Sequence, residues 1–187
     1  MILENEILKK IEKVKDKIIN ARVEKNRYLG EYRERVITAL TKQELEEKFV
    51  YPEVMKALKK KIASKMIVSR DVDLSKLKKY ITLAKQMKIP CKMVDGLSYT
   101  GEVGLVVISD DEVKNKLDDP VVLSFKERII NAGLDVVYYQ AMGKKISKKY
   151  YEIIKEKLPE LVEFYEPMGF FDKITGTICP ITQKLED

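Results

Sequence analysis

The chain has 187 residues, 45% of them apolar, and a formal charge of +6 with no histidine. That composition supports a packed core, and the missing imidazole removes the commonest general base and zinc ligand. No apolar run approaches the roughly 20 residues that cross a bilayer. The N-terminus also lacks the continuous apolar centre of a signal peptide, so a cytoplasmic protein with no membrane partner is expected.

In chain order, Ile2, Leu3, Ile7, Leu8, Ile11, Val14, Ile18 and Ile19 fall near one helical stripe. The spacing predicts an amphipathic N-terminal helix that seeks a core or a partner. Residues 27–35, RYLGEYRER, suit an extended arm, and RVITALT (35–41) reads as the first strand. KQELEEKF reads as a polar connection. Pro52 suits the first turn of a helix; Val54, Leu58 and Ile62 then recur at helical spacing and leave Lys56, Lys59, Lys60 and Lys61 outside. KMIVSR (65–70) reads as the second strand. Asp73 or Ser75 can cap a helix carrying Leu77, Ile81, Ala84 and Met87 on one face.

IPCKMV (89–94) reads as the third strand, with Cys91 as a buried small hydrophobe. DGLSYTGE (95–102) reads as a loop, and GLVVIS (104–109) as a fourth strand buried on both faces. The stretch from Met66 to Val94 makes a strand–helix–strand unit long enough for a parallel crossover. Beyond it, DDEVKN (110–115) reads as a short helix and LDDP (117–120) as a turn. Val121–Leu123 reads either as a strand or as the start of a helix. Residues 124–157 are mostly helical in pattern, interrupted at Gly133 and Gly143. Pro159 breaks or begins a helix around LPELVEFY, and the tail from Pro167 reads as irregular, with Cys179 exposed.

No phosphate-binding glycine loop, nucleophile elbow or dinucleotide fingerprint is present. Cys91 and Cys179 lie 88 positions apart without metal-ligand spacing. No cofactor, metal set or catalytic constellation emerges, and a non-enzymatic protein is expected. The charge is uneven. Between Met55 and Lys92, eleven Lys and one Arg face only Asp71 and Asp73, a net +10. Such a block suits either a phosphate-binding surface or well-solvated helix faces. The candidate nucleic-acid contacts are Lys56, Lys59, Lys60, Lys61, Lys65 and Arg70, with Lys76, Lys78, Lys79, Lys85 and Lys88 on the next helix. Arg27, Arg33 and Arg35 beside Tyr28 and Tyr32 suit phosphate contact or, more plainly, ion pairs with Glu31 and Glu34. Asp71 and Asp73 read as turn and cap residues.

RYLGEYRERVITALT (27–41), YPEV (51–54), the Ile89–Pro90 strand start and GLVVISDDE (104–112), in this order, resemble the YueI-like family, a bacterial family of unknown function. The resemblance spans about residues 25–116. It implies a small mixed sheet with helices on its faces and names no reaction or site. The middle of the chain is also similar to the kink-turn-binding ribosomal protein superfamily, in which a Gly-x-Asn-Glu motif opens a helix and is followed at a fixed spacing by a lysine, a strand and an acidic turn. Glu53, Lys56 and Asp71–Val72–Asp73 match that pattern. Val50 and Pro52 replace its glycine and asparagine, which removes the amide donor and crowds the backbone approach.

The fold expected is α/β: a small mixed four-stranded sheet flanked by helices, with residues 1–24 an amphipathic helix, 25–117 the α/β domain and 118–187 a mainly helical extension. The expected partner is RNA or the ribosome, met through the lysine surface. The alternative is a protein partner or a homodimer, met through the terminal helices.

Overall fold

The computed structural model describes residues 2–95, 99, 101–114 and 119–185, with the backbone alone for residues 2–11 and Lys173. The chain divides into two compact units, residues 1–122 and 123–187.

In the first unit, helix α1 (Ile2–Arg27) leads through a turn into strand β1 (Val36–Thr41), helix α2 (Lys42–Glu46), helix α3 (Pro52–Leu58), strand β2 (Lys65–Ser69), helix α4 (Leu74–Gln86), strand β3 (Cys91–Val94) and strand β4 (Val103–Ile108). The strands form one mixed sheet in the order β1-β4-β2-β3. β4 is antiparallel to both β1 and β2, while β2 and β3 are parallel, with Met66 beside Cys91 and Ser69 beside Val94. The expected four strands and the parallel crossover through α4 are all present. Outside β1, Val121 adds a single parallel bridge to Ala39, so Val121–Leu123 makes strand contact without becoming a strand.

The two faces of the sheet are covered differently. Alternation along each strand separates the side chains. Ala39, Ile67, Val94, Val106 and Ile108 face one side and pack with Tyr28, Leu29 and Tyr99. Met66 and Val68 therefore face the other side, where α2, α3 and α4 lie. Tyr51 and Tyr80, both 0% exposed, meet there, and the Tyr80 hydroxyl accepts the Tyr51 N–H at 3.3 Å. Burying a large apolar side chain contributes about 1.5–3 kcal/mol, and this layer is built of such residues.

Several local expectations are corrected. Residues 27–35 are not an extended arm, since Tyr28 and Leu29 are only 2% exposed and roof the open face of the sheet. The chain reverses behind them through Leu29 (φ 55°) and Gly30 (φ 94°), where a Cβ would stand 2.7 Å from the Tyr99 hydroxyl. The 42–46 segment is a helix rather than a plain connection. Thr41 and Glu44 form a reciprocal capping box, with the Thr41 N–H donating to Glu44 Oε2 at 2.7 Å. α3 stops at Leu58, because Ser64 must present its N–H to the Ile108 carbonyl (2.9 Å). Ile62 is thereby left in the connecting turn, 48% exposed. Residues 110–114 are irregular rather than helical; Asn115 and residues 117–118 of the expected turn lie outside the described residues, as do 96–98 and 100 of the expected loop.

The second unit is helical with one small sheet. It contains α5 (Phe125–Asn131), α6 (Val136–Gln140), strand β5 (Lys145–Ile146), α7 (Lys148–Lys157), a 3-10 turn over Pro159–Phe164, strand β6 (Glu166–Pro167), α8 (Phe170–Ile174) and α9 (Pro180–Leu185). β5 and β6 are parallel. The tail expected to be irregular thus carries a strand and two helices. Phe125 packs on Phe164 with ring centroids 5.0 Å apart, and Tyr138 meets Tyr150 edge-on. The Tyr165 hydroxyl donates to the Tyr138 carbonyl at 2.8 Å, so these tyrosines are packing groups. Cys179 is buried and its sulfur accepts the Ser147 N–H at 3.3 Å. Cys91 is exposed, because β3 is an edge strand whose first three residues face solvent. Both thiols therefore reverse their expected placement. Among the described residues, no helix is long and apolar enough to cross a membrane.

Candidate nucleic-acid interface

The lysines between 56 and 65 are positioned by the end of α3 and the turn into β2. Pro52 starts α3 at a position where its missing N–H costs nothing. The buried side of α3, formed by Val54, Ala57 and Leu58, turns Lys56 outward. Lys59 closes the helix with its N–H donating to the Met55 carbonyl at 3.2 Å. Lys60 donates its N–H to Ala57 and accepts that of Ala63, both at 3.0 Å, which closes the Lys59–Lys61 turn on itself before Ser64 bonds to the sheet. Lys56, Lys59, Lys60 and Lys61 are all exposed. Among the described residues none of the four forms an ion pair or a side-chain hydrogen bond.

α3 and α4 lie on the same side of the sheet, as the Tyr51–Tyr80 contact requires. Lys85, in the last turn of α4, and Lys88, just before β3, lie at the end of the sheet where β2 begins, since the Met66 N–H donates to the Pro90 carbonyl at 2.9 Å. That end carries Lys59–Lys61, Lys65, Lys85 and Lys88.

Two candidates are set apart from this group. Lys65 is half-buried and shares the strand face of Ile67, so it points away from α3 and α4. Arg70 stands beyond the opposite end of β2, roughly 16 Å along the strand from Lys65. At Arg70's end, charge is spent internally. Lys42 pairs with Asp71 at 2.7 Å and Lys76 with Glu46 at 3.3 Å. Lys79 donates to the Phe49 carbonyl at 3.0 Å and to the Glu47 carbonyl, tying down the 47–49 loop. Burial pushes its ammonium below the ordinary lysine value, with Glu47 opposing. Asp73 caps α4 by accepting the Ser75 N–H at 2.7 Å, and that bond holds its carboxyl below the usual range.

Acids also approach the lysine rim. Lys61 and Lys114 border a recess of about 700 Å³ together with Ser64, Ser109, Asp110, Asp111 and Glu112. Among the described residues, no group of three or more acidic or thiol side chains is arranged to hold a metal ion. At the sheet's other face, Arg27 pairs with Asp119 (3.0 Å) and Glu102 (3.4 Å), not with the neighbouring Glu31 or Glu34. Arg27 and Arg33 line a groove of about 660 Å³ with Lys17, Glu24 and Tyr28. Sequence reasoning missed this groove because its walls come from α1 and from the turn that folds back beneath it.

Comparison with known proteins adds a lineage and no activity. A family model described as "Protein of unknown function (DUF1694)" matches residues 3–118. The uncharacterized protein YueI of Bacillus subtilis (strain 168) is 29% identical over 94 residues, covering 50% of this chain and 71% of that protein. The crystal structure of the YueI protein from Bacillus subtilis is similar with a TM-score of 0.51 at 26% identity, covering 55% of this chain and 78% of that one.

Proposed function

This chain belongs to the DUF1694 family of proteins of unknown function, and from that premise we propose that it is a non-enzymatic RNA-binding protein whose contact surface is the lysine rim at the end of α3. One observation carries the reading: Lys56, Lys59, Lys60 and Lys61 form an exposed cationic row with no carboxylate partner among the described residues. Such a row attracts phosphates by charge and counterion release, without reading bases. Pro52 supports the same inference, since a proline at the helix start offers no amide to a base edge. Lys85 and Lys88 extend the surface along the same end of the sheet. Lys65 contributes at its margin, and Arg70 lies outside it.

The test is fluorescence anisotropy with a labelled single-stranded RNA and a labelled RNA hairpin. Lys59→Glu, Lys60→Glu, Lys61→Glu is expected to abolish binding to both at about 50 mM salt, where phosphate contacts are strongest. All three positions are exposed, so an unchanged circular dichroism spectrum is expected for the variant. Undiminished RNA affinity in the folded variant would remove the rim as the binding surface.

A further inference from the structure

α1 offers a second, separate surface. Each residue from 12 to 20 is exposed, and Val14 and Ile18 stand 56% and 64% open. A helix with no tertiary packing gains little from propensity alone, so this segment calls for a partner. Val14, Ile18 and the half-buried Ala21 follow the four–three spacing of a coiled-coil seam. In the sequence, the same spacing runs back through Ile11 and Ile7.

The residues beside that seam decide what covers it. Lys15 and Arg22 lie along one flank and Lys17 along the other, where Glu24 is the single acid. None of the three cations forms an ion pair among the described residues. Two copies aligned in parallel would set Lys17 of each across from Arg22 of its neighbour. Two antiparallel copies would set the Lys15–Arg22 flank against itself. Parallel pairing thus opposes like charges, and antiparallel pairing gains nothing, because its Lys17–Glu24 contacts are offset by the Lys15–Arg22 flank; an acidic partner gains at all three cations.

We propose that α1 docks an acidic amphipathic helix of another protein, its apolar seam closing over Val14, Ile18 and Ala21 and its carboxylates facing Lys15, Lys17 and Arg22. The surface is independent of the lysine rim and stands whether or not RNA binds there.

The probe is a synthetic peptide of about four heptads, with Ile and Leu in the seam and Glu on both flanks, titrated into the full chain. A twin peptide with Lys on both flanks is the control. The Glu peptide is expected to bind saturably and more weakly at high salt, and the Lys peptide not to bind. Ile18→Asp is expected to weaken binding by about tenfold or more, as loss of one buried isoleucine implies. Val23→Asp, as exposed as Ile18 but on the opposite side of the helix from the seam, leaves it unchanged. Absence of Glu-peptide binding, equal binding of the Lys peptide, or equal effects of the two substitutions overturns the proposal. So does a dimer in sedimentation that Ile18→Asp dissociates, or capture by phosphatidylglycerol vesicles that Ile18→Asp releases; these name a second copy or a lipid surface as the occupant.

Discussion

Asp73 shows how far a single letter can be read. An acid just before an amphipathic run predicts a cap, and the structure places its carboxylate 2.7 Å from the Ser75 N–H. That bond favours the charged form and holds the acid below its ordinary 3.8. The contribution to stability is therefore complete above pH 3.8 and is lost as pH falls through the lowered value. Asp73→Asn keeps an acceptor but not the charge. Urea midpoints of the two proteins should differ at pH 5, with the wild type higher, and converge near pH 2. A constant gap across that range would mean that the charge of Asp73 does not act on α4. The cysteines mark where letters stop informing. Local composition cannot say that β3 lies at the sheet edge, which exposes Cys91, or that Ser147 reaches Cys179 across 32 positions.

At the scale of elements, the legible features were those with a local cause. The β-branched runs at 36–41, 65–69 and 103–108 are strands, and Pro52 opens α3. The YueI-like segments lie within the matched family region. Features set by distant contacts were not legible. Tyr28 and Leu29 look like part of a charged arm until the sheet is present to bury them. α2 had a local signal, the Thr41-x-x-Glu44 capping box, yet its polar letters resemble a loop, and only the burial of Leu45 gives it a reason to fold. Leu45 also explains Gly104. A Cβ there would lie 2.6 Å from Leu45 Cδ1 and 3.1 Å from Lys42 Cγ. Leu45 is fully buried and has little room to yield, so Gly104→Ala should destabilise the protein by about 1–3 kcal/mol in urea unfolding. Combining it with Leu45→Ala should cost less than the sum of the two single changes. Full additivity would show that the close approach of α2 to β4 is not what requires glycine.

Across the whole molecule, charge is distributed by unit. Residues 123–187 hold ten basic and ten acidic side chains, so the entire +6 belongs to residues 1–122. Within that unit the sequence offered one continuous basic block, and the fold sorts it by use. Lys76 is paired and Lys79 braces a loop, while Lys56, Lys59, Lys60 and Lys61 remain open to solvent. The sorting was invisible in the letters because it depends on which carbonyls and carboxylates the sheet brings within reach. The most direct measurement is the salt dependence of single-stranded RNA affinity for the intact protein. Four phosphate contacts predict a slope of log affinity against log salt of about −2.8, a loss of roughly 50-fold between 50 and 200 mM. The Lys59→Glu, Lys60→Glu, Lys61→Glu variant should retain no such salt-sensitive binding. A wild-type affinity that is flat across that range, or no binding at the lowest salt, would contradict the assignment of the lysine rim to RNA.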